Sequence, residues 1–174
     1  MRQLVLPTLM ACCWVAACAP ALDWRELRPP GAAGLTLLLP CRAHAQQRTA
    51  SLAGRPLRLE LLVCEADGRS WALAHGDVVD PAQVGPALAA LHLAAAANVG
   101  ASAPALQALA VPGATPQPAS ARIRLAGRRP DGAAIEMEAA VFARGTHIFQ
   151  ATVLGDKVAA ADADAYFASL HFLP

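Results

Sequence analysis

The 174-residue chain is expected to form one α+β domain, an antiparallel β-sheet with helices packed on it, behind an N-terminal export segment. Three observations carry that expectation. Apolar and polar residues alternate over several stretches of strand length, and turn chemistry separates them. One long segment, from Asp80 to Asn98, repeats its apolar residues at helical spacing, and a shorter one closes the chain. Strands joined by tight turns pair antiparallel, and helices segregated from them indicate α+β rather than alternating β-α-β units.

The first apolar run, Leu4 to Ala17, reads "LVLPTLMACCWVAA" behind Arg2. It is shorter than the about 20 apolar residues a spanning helix needs, and its flanks suit a secretory signal. Val15-Ala16-Ala17-Cys18 then resembles the bacterial lipobox: an aliphatic residue, two small residues and a cysteine. The resemblance implies cleavage before Cys18, a diacylglyceryl group on its thiol and acylation of the new amine. Several acyl chains suffice for stable anchoring, at ~0.8 kcal/mol per buried methylene. Ala19 after the cysteine favours an outer-membrane address facing the periplasm. The alternative is a cut after Ala19-Pro20-Ala21, which releases a soluble periplasmic protein. The expected division is signal peptide 1–17, lipidated N-terminus and tether 18–33, and one folded domain 34–174.

Five cysteines divide accordingly. Cys12 and Cys13 leave with the signal and Cys18 carries lipid, so Cys41 and Cys64 remain as a pair in an oxidising compartment. A disulfide there would contribute roughly 3.5 kcal/mol by the loop-entropy model. Two buried free thiols are the competing arrangement.

Within the tether, Asp23–Leu27 suits a short turn, with Trp24 and Leu27 available to dock. "GLTLLLP" is a continuous apolar run and a buried strand; "RTASLAG" is a weaker one. "LRLELLVCE" alternates strictly, Ala66-Asp67-Gly68-Arg69 turns the chain, and "SWALAHGDV" returns. Asp80 caps the main helix ahead of Pro81, and Gly100 stops it, with Pro86 delaying its regular part. A strand near Leu106–Val111 and a proline-bounded loop follow. "ARIRLAG", "AAIEMEAAVFA" and "THIFQATVLG" form a meander around Pro130-Asp131-Gly132 and Gly145. Asp162–Leu170 is a closing helix with Asp162 as N-cap and Ala163, Tyr166, Phe167 and Leu170 facing the core.

The closing pattern "VFARGTHIFQATVLG…ADADAYFASLHFL" resembles the end of PsbP-like domains, with the aromatic pair Tyr166-Phe167 and a Ser-Leu-x-Phe exit. "GLTLLLPCRA" and "SWALAHGDV" are similar to their first and central strands. The resemblance covers residues 34–174 and implies an α/β/α sandwich and a non-catalytic binding or assembly role. Fold alone fixes no function.

Charge is balanced, 14 basic against 13 acidic residues, and no like-charge run points to nucleic acid. Roughly a quarter of the residues are alanine, which accounts for much of the 56% hydrophobic content. The basic hairpin, Arg122, Arg124, Arg128 and Arg129 with Arg144 beyond, reads as a solvated sheet face, with Arg124 opposite Glu136 and Arg122 opposite Glu138. Cys41-x-x-His44 lacks the second ligand pair of a zinc site. Nucleophile-elbow, P-loop and dinucleotide motifs are absent from the sequence, and no cofactor is indicated. The leading expectation is therefore a lipid-anchored envelope protein, membrane-attached through Cys18, acting as a non-catalytic binding or assembly accessory to an envelope partner. The alternative is a periplasmic enzyme or small-ligand receptor using His75, Asp77 and Arg144.

Overall fold

The structure, a computed structural model, describes residues 21–102 and 104–173; Cys18 and the lipobox lie outside the described residues. The chain runs β1 (Arg25–Leu27), β2 (Leu35–Leu39), β3 (His44–Leu52), β4 (Arg55–Ala66), β5 (Arg69–Asp77), a 3-10 turn (Pro81–Gln83) and α1 (Val84–Asn98). It continues through β6 (Ala121–Arg128), β7 (Ala134–Arg144), β8 (His147–Gly155), α2 (Ala160–Ala168) and β9 (His171–Phe172). Six strands form one antiparallel sheet in the order β3-β4-β5-β8-β7-β6, and β1-β2-β9 form a small second sheet. The α+β class expected from the sequence is what the chain adopts. No helix among the described residues is long and apolar enough to cross a membrane.

Alternation decides which side chains meet. One face of the central strands carries Trp71, Leu73, Phe142 and Phe149, and it is covered by β2, β9 and α2. The opposite face carries Val141, Ala143 and Ile148, and then Ile123, Leu125 and Ala139. These lie under α1 through Val84, Leu88, Leu91 and Ala95. Gly127 is needed where α1 ends, because a Cβ there would stand 1.8 Å from the Val99 carbonyl.

Five sequence expectations need correction. Asp23–Leu27 is not a turn: its last three residues form β1, with Arg25, Glu26 and Leu27 paired to Leu39, Leu38 and Leu37, and Leu22, Trp24 and Leu27 pack on the main core. Residues 106–111 form no strand. Only Gln107 exchanges backbone bonds with Arg122, and the flanking prolines remove the donors a longer ladder would use. The β6–β7 hairpin is shifted by two residues, so Arg124 faces Glu138 and Arg122 faces Ala140. Its loop runs longer because Asp131 accepts the Ala133 N–H at 3.0 Å and Gly132 takes a φ of +86°. The hairpin face is not solvated throughout, since Glu138 is only 1% exposed. Finally, α2 starts at Ala160 with Ala159 as N-cap. Asp162 falls inside its first turn, where Arg69 donates to its carboxylate at 2.6 Å. The long helix behaves as its prolines require: Asp80 accepts from Ala82, and Pro86 sits in the first α-helical turn, where its missing N–H has no partner to lose.

Candidate functional site

The pair left by the cysteine count is joined. Cys41, just past β2, and Cys64, on β4, form a disulfide with Cα atoms 5.9 Å apart. It ties the small sheet to the large one at the end where Cys64 packs beside Trp71. Trp24 and Tyr166 meet Trp71 edge-on from either side, at 5.5 and 5.6 Å, so Trp71 is core and offers no open platform. Cys41, being bonded, is not available as the thiolate of a Cys-x-x-His zinc pair. Among the described residues no group of three or more His, Cys, Asp or Glu side chains is placed to hold a metal ion.

The residues of the alternative site are brought together in part. Asp77 faces His147 across β5–β8, and His147 faces Arg144 across β7–β8. His75, Asp77 and His147 line one shallow cavity of about 300 Å³, with Arg58 and Glu60. Arg144 turns away: its guanidinium lies 4.9 Å from the Phe172 ring centre and donates to the Leu173 carbonyl at 3.2 Å. Asp77 is already engaged in local structure. It accepts the N–H of Val79 at 2.8 Å, holding that residue at a φ of +62°. Hydrogen bonds from Thr146 and from Val79 hold its carboxyl below the usual aspartate range.

His75 is nearly buried, stacked 6.1 Å from Phe149, with Glu60 at 3.9 Å. Burial pushes its imidazole below the ordinary histidine value, against the pull of Glu60. A neutral imidazole lies there, but no serine, threonine or cysteine side chain accompanies it in the cavity lining. His147, 3.9 Å from Asp77, was the member sequence reasoning missed. Only the non-sequential pairing of β5 with β8 reveals it.

A second polar cluster is structural. Arg122 and Arg124 both bond the Glu138 carboxylate, and Arg122 also reaches Asp164 of α2 at 2.6 Å. Desolvation opposes the Arg122 charge, yet the bonds it donates to Glu138 and Asp164 outweigh that and raise its pKa. The guanidinium stacks 4.7 Å above Phe167. Arg122 thus clamps α2 onto the sheet, and Arg124 completes the pairing of Glu138 beneath it.

No family model matches the chain, and no curated protein matches it. Among solved structures it is similar to a crystal structure from Bacteroides thetaiotaomicron VPI-5482, determined at 1.50 Å. That likeness has 10% identity and a TM-score of 0.46, over 88% of this chain and 50% of the other. The chain thus spans half the length of that protein.

Proposed function

We propose that the protein is a lipid-anchored component of the bacterial envelope, attached through Cys18, whose domain is a PsbP-like module acting as a non-catalytic binding or assembly accessory on the periplasmic side. The observation that carries this proposal is the Cys41–Cys64 disulfide. A bridge between two sheets belongs to an oxidising compartment, which agrees with an export signal and a lipobox ahead of it. The antiparallel sheet with a helix on each side accords with the PsbP-like resemblance. The outer membrane is the favoured address, from Ala19. Intact mass of membrane-extracted protein, with and without reductant, tests both covalent claims. Acyl mass on Cys18 is expected, together with a gain of two hydrogen atoms, about two daltons, on reduction. A mass starting at Leu22 without lipid would leave a soluble periplasmic protein in its place.

The shared cavity of His75, Asp77 and His147 favours a small-ligand receptor as the second reading. Histidine ring signals followed by NMR during titration with inorganic phosphate or acetate test it, and unmoved signals in both titrations remove it.

A further inference from the structure

The cavity at His75 is the end of something longer. A neighbouring cavity of about 410 Å³ shares Glu60 and His75 with it. That one shares Pro29, Pro30 and Leu62 with a third, also about 410 Å³, which reaches Arg25, Arg28 and Arg42. The three lie in line along one face of β4, where Arg58, Glu60 and Leu62 recur every second residue. That spacing, roughly 6.6 Å, is the repeat of an extended polypeptide. The segment from Leu27 to Gly31 forms one wall, and β3, the outermost strand of the large sheet, forms the other through Ala45, Gln46 and Gln47.

We propose that this groove binds an extended segment of a partner polypeptide, with an acidic end at Arg25, Arg28 and Arg42 and a basic or neutral end at Glu60 and Asp77. Charge complementarity identifies the occupant. Three arginines line the third cavity, whose floor is Leu27, Ala43 and Leu62. Arg25 and Arg28 pair with Asp23 and Glu26, but all four side chains are more than half exposed. Such pairs are worth under about 1 kcal/mol and exchange readily for a ligand carboxylate. Arg42 pairs with no carboxylate among the described residues and lines the same cavity. At the far end Glu60 and Asp77 supply the opposite charge. Between them stands the amide of Gln47, on the same face as Glu60, whose exposed bonds to Glu60 and Arg58 exchange for those of a peptide backbone. An acyl chain laid there would strip water from the same groups and return no hydrogen bond.

The inference rests on the binding-module reading, not on the anchor at Cys18. The test uses the full chain, in nanodiscs if it carries lipid and in buffer if it does not. Calorimetric titration compares the peptide acetyl-Glu-Glu-Thr-Val-Thr-Val-Thr-Lys-amide with acetyl-Lys-Lys-Thr-Val-Thr-Val-Thr-Lys-amide and with sodium laurate. The acidic peptide is expected to bind, shifting the NMR signals of Gln46, Gln47 and Leu62, while the basic one does not. Arg25→Glu with Arg42→Glu, both exposed positions, should weaken it by about tenfold or more while the thermal midpoint holds. A non-binding acidic peptide, equal binding of both peptides, an unaffected double variant, or laurate binding alone would each overturn the proposal. Peptide binding by a chain without acyl mass would remove the anchor and leave the groove standing.

Discussion

The two covers of the six-stranded sheet are built from different physics. Helix α1 contains no charged residue and lies on its face through Val84, Leu88, Leu91 and alanines. Helix α2 has nine residues, too few to persist alone. Besides Ala163, Tyr166 and Phe167, it is held by arginines from two strands, Arg69 at Asp162 and Arg122 at Asp164. Apolar contact gives α1 adhesion with loose specification of position, while the charged contacts of α2 reward a single placement. If that contrast is right, the α1 side should be insensitive to salt and to conservative charge changes, and the α2 side should respond to both.

The largest effect is expected on the α1 side. Leu88 is fully buried, and Leu88→Ala should cost about 2–5 kcal/mol, read as a lower urea midpoint that added salt does not alter. Arg69→Met comes next. Arg69 is 7% exposed and bonds Asp67 and Asp162, so losing charged hydrogen bonds should cost about 1.5–3 kcal/mol. The deficit against wild type should shrink in high salt, because Asp162 and Asp67 remain partly exposed. An equal deficit at all salt concentrations would mean that packing, not charge, seats α2. Smaller still is Tyr166→Phe. The hydroxyl donates to the Ala72 carbonyl at 2.8 Å, so its loss should cost about 0.5–1.5 kcal/mol, with amide exchange rising in α2 before α1.

This contrast also marks what could be read from the chain. Helix α1 and the hairpins β4–β5 and β7–β8 were legible, because each is specified by periodicity and a local turn. The grips on α2 were not: Arg69 and Asp162 stand 93 residues apart, and Arg122 and Asp164 stand 42 apart. Strand β1 has three residues, too few for alternation to show, and owes its conformation to β2 and to Trp71. The two-residue slip at β6–β7 left every side chain on its expected face, since the period is two, and changed only the partners. Glu138, expected in solvent, is buried instead because Arg122 and Arg124 close over its carboxylate. In the candidate site, His75 and Asp77 were visible as neighbours on one strand, whereas His147 and the arginines at Arg25 and Arg42 join them only through tertiary pairing.

The finest test of the contrast is pH, and it bears on the α2-side face through His75. That side chain sits on the face shared with Phe149, and the groups facing it are Glu60 from β4, His147 from β8, and Asp77 and Arg58 around the cavity. Burial lowers its folded pKa, His147 lowers it further and Glu60 works the other way. In the unfolded chain the imidazole takes up its proton near pH 6.5. Below that value the unfolded state binds more protons than the folded one. The stability from keeping His75 neutral is therefore complete above about pH 6.5 and is lost as pH falls from there toward the lowered folded value. Urea midpoints at about pH 7.5, 6.5 and 5.5 should fall in wild type and fall less in His75→Gln, which cannot take up the proton. Leu88→Ala should keep the wild-type slope, because Leu88 packs on the opposite face of the sheet from His75. Equal slopes in wild type and His75→Gln would show the cavity end open enough to hydrate the imidazolium, and the two faces would then differ in their ion pairs alone.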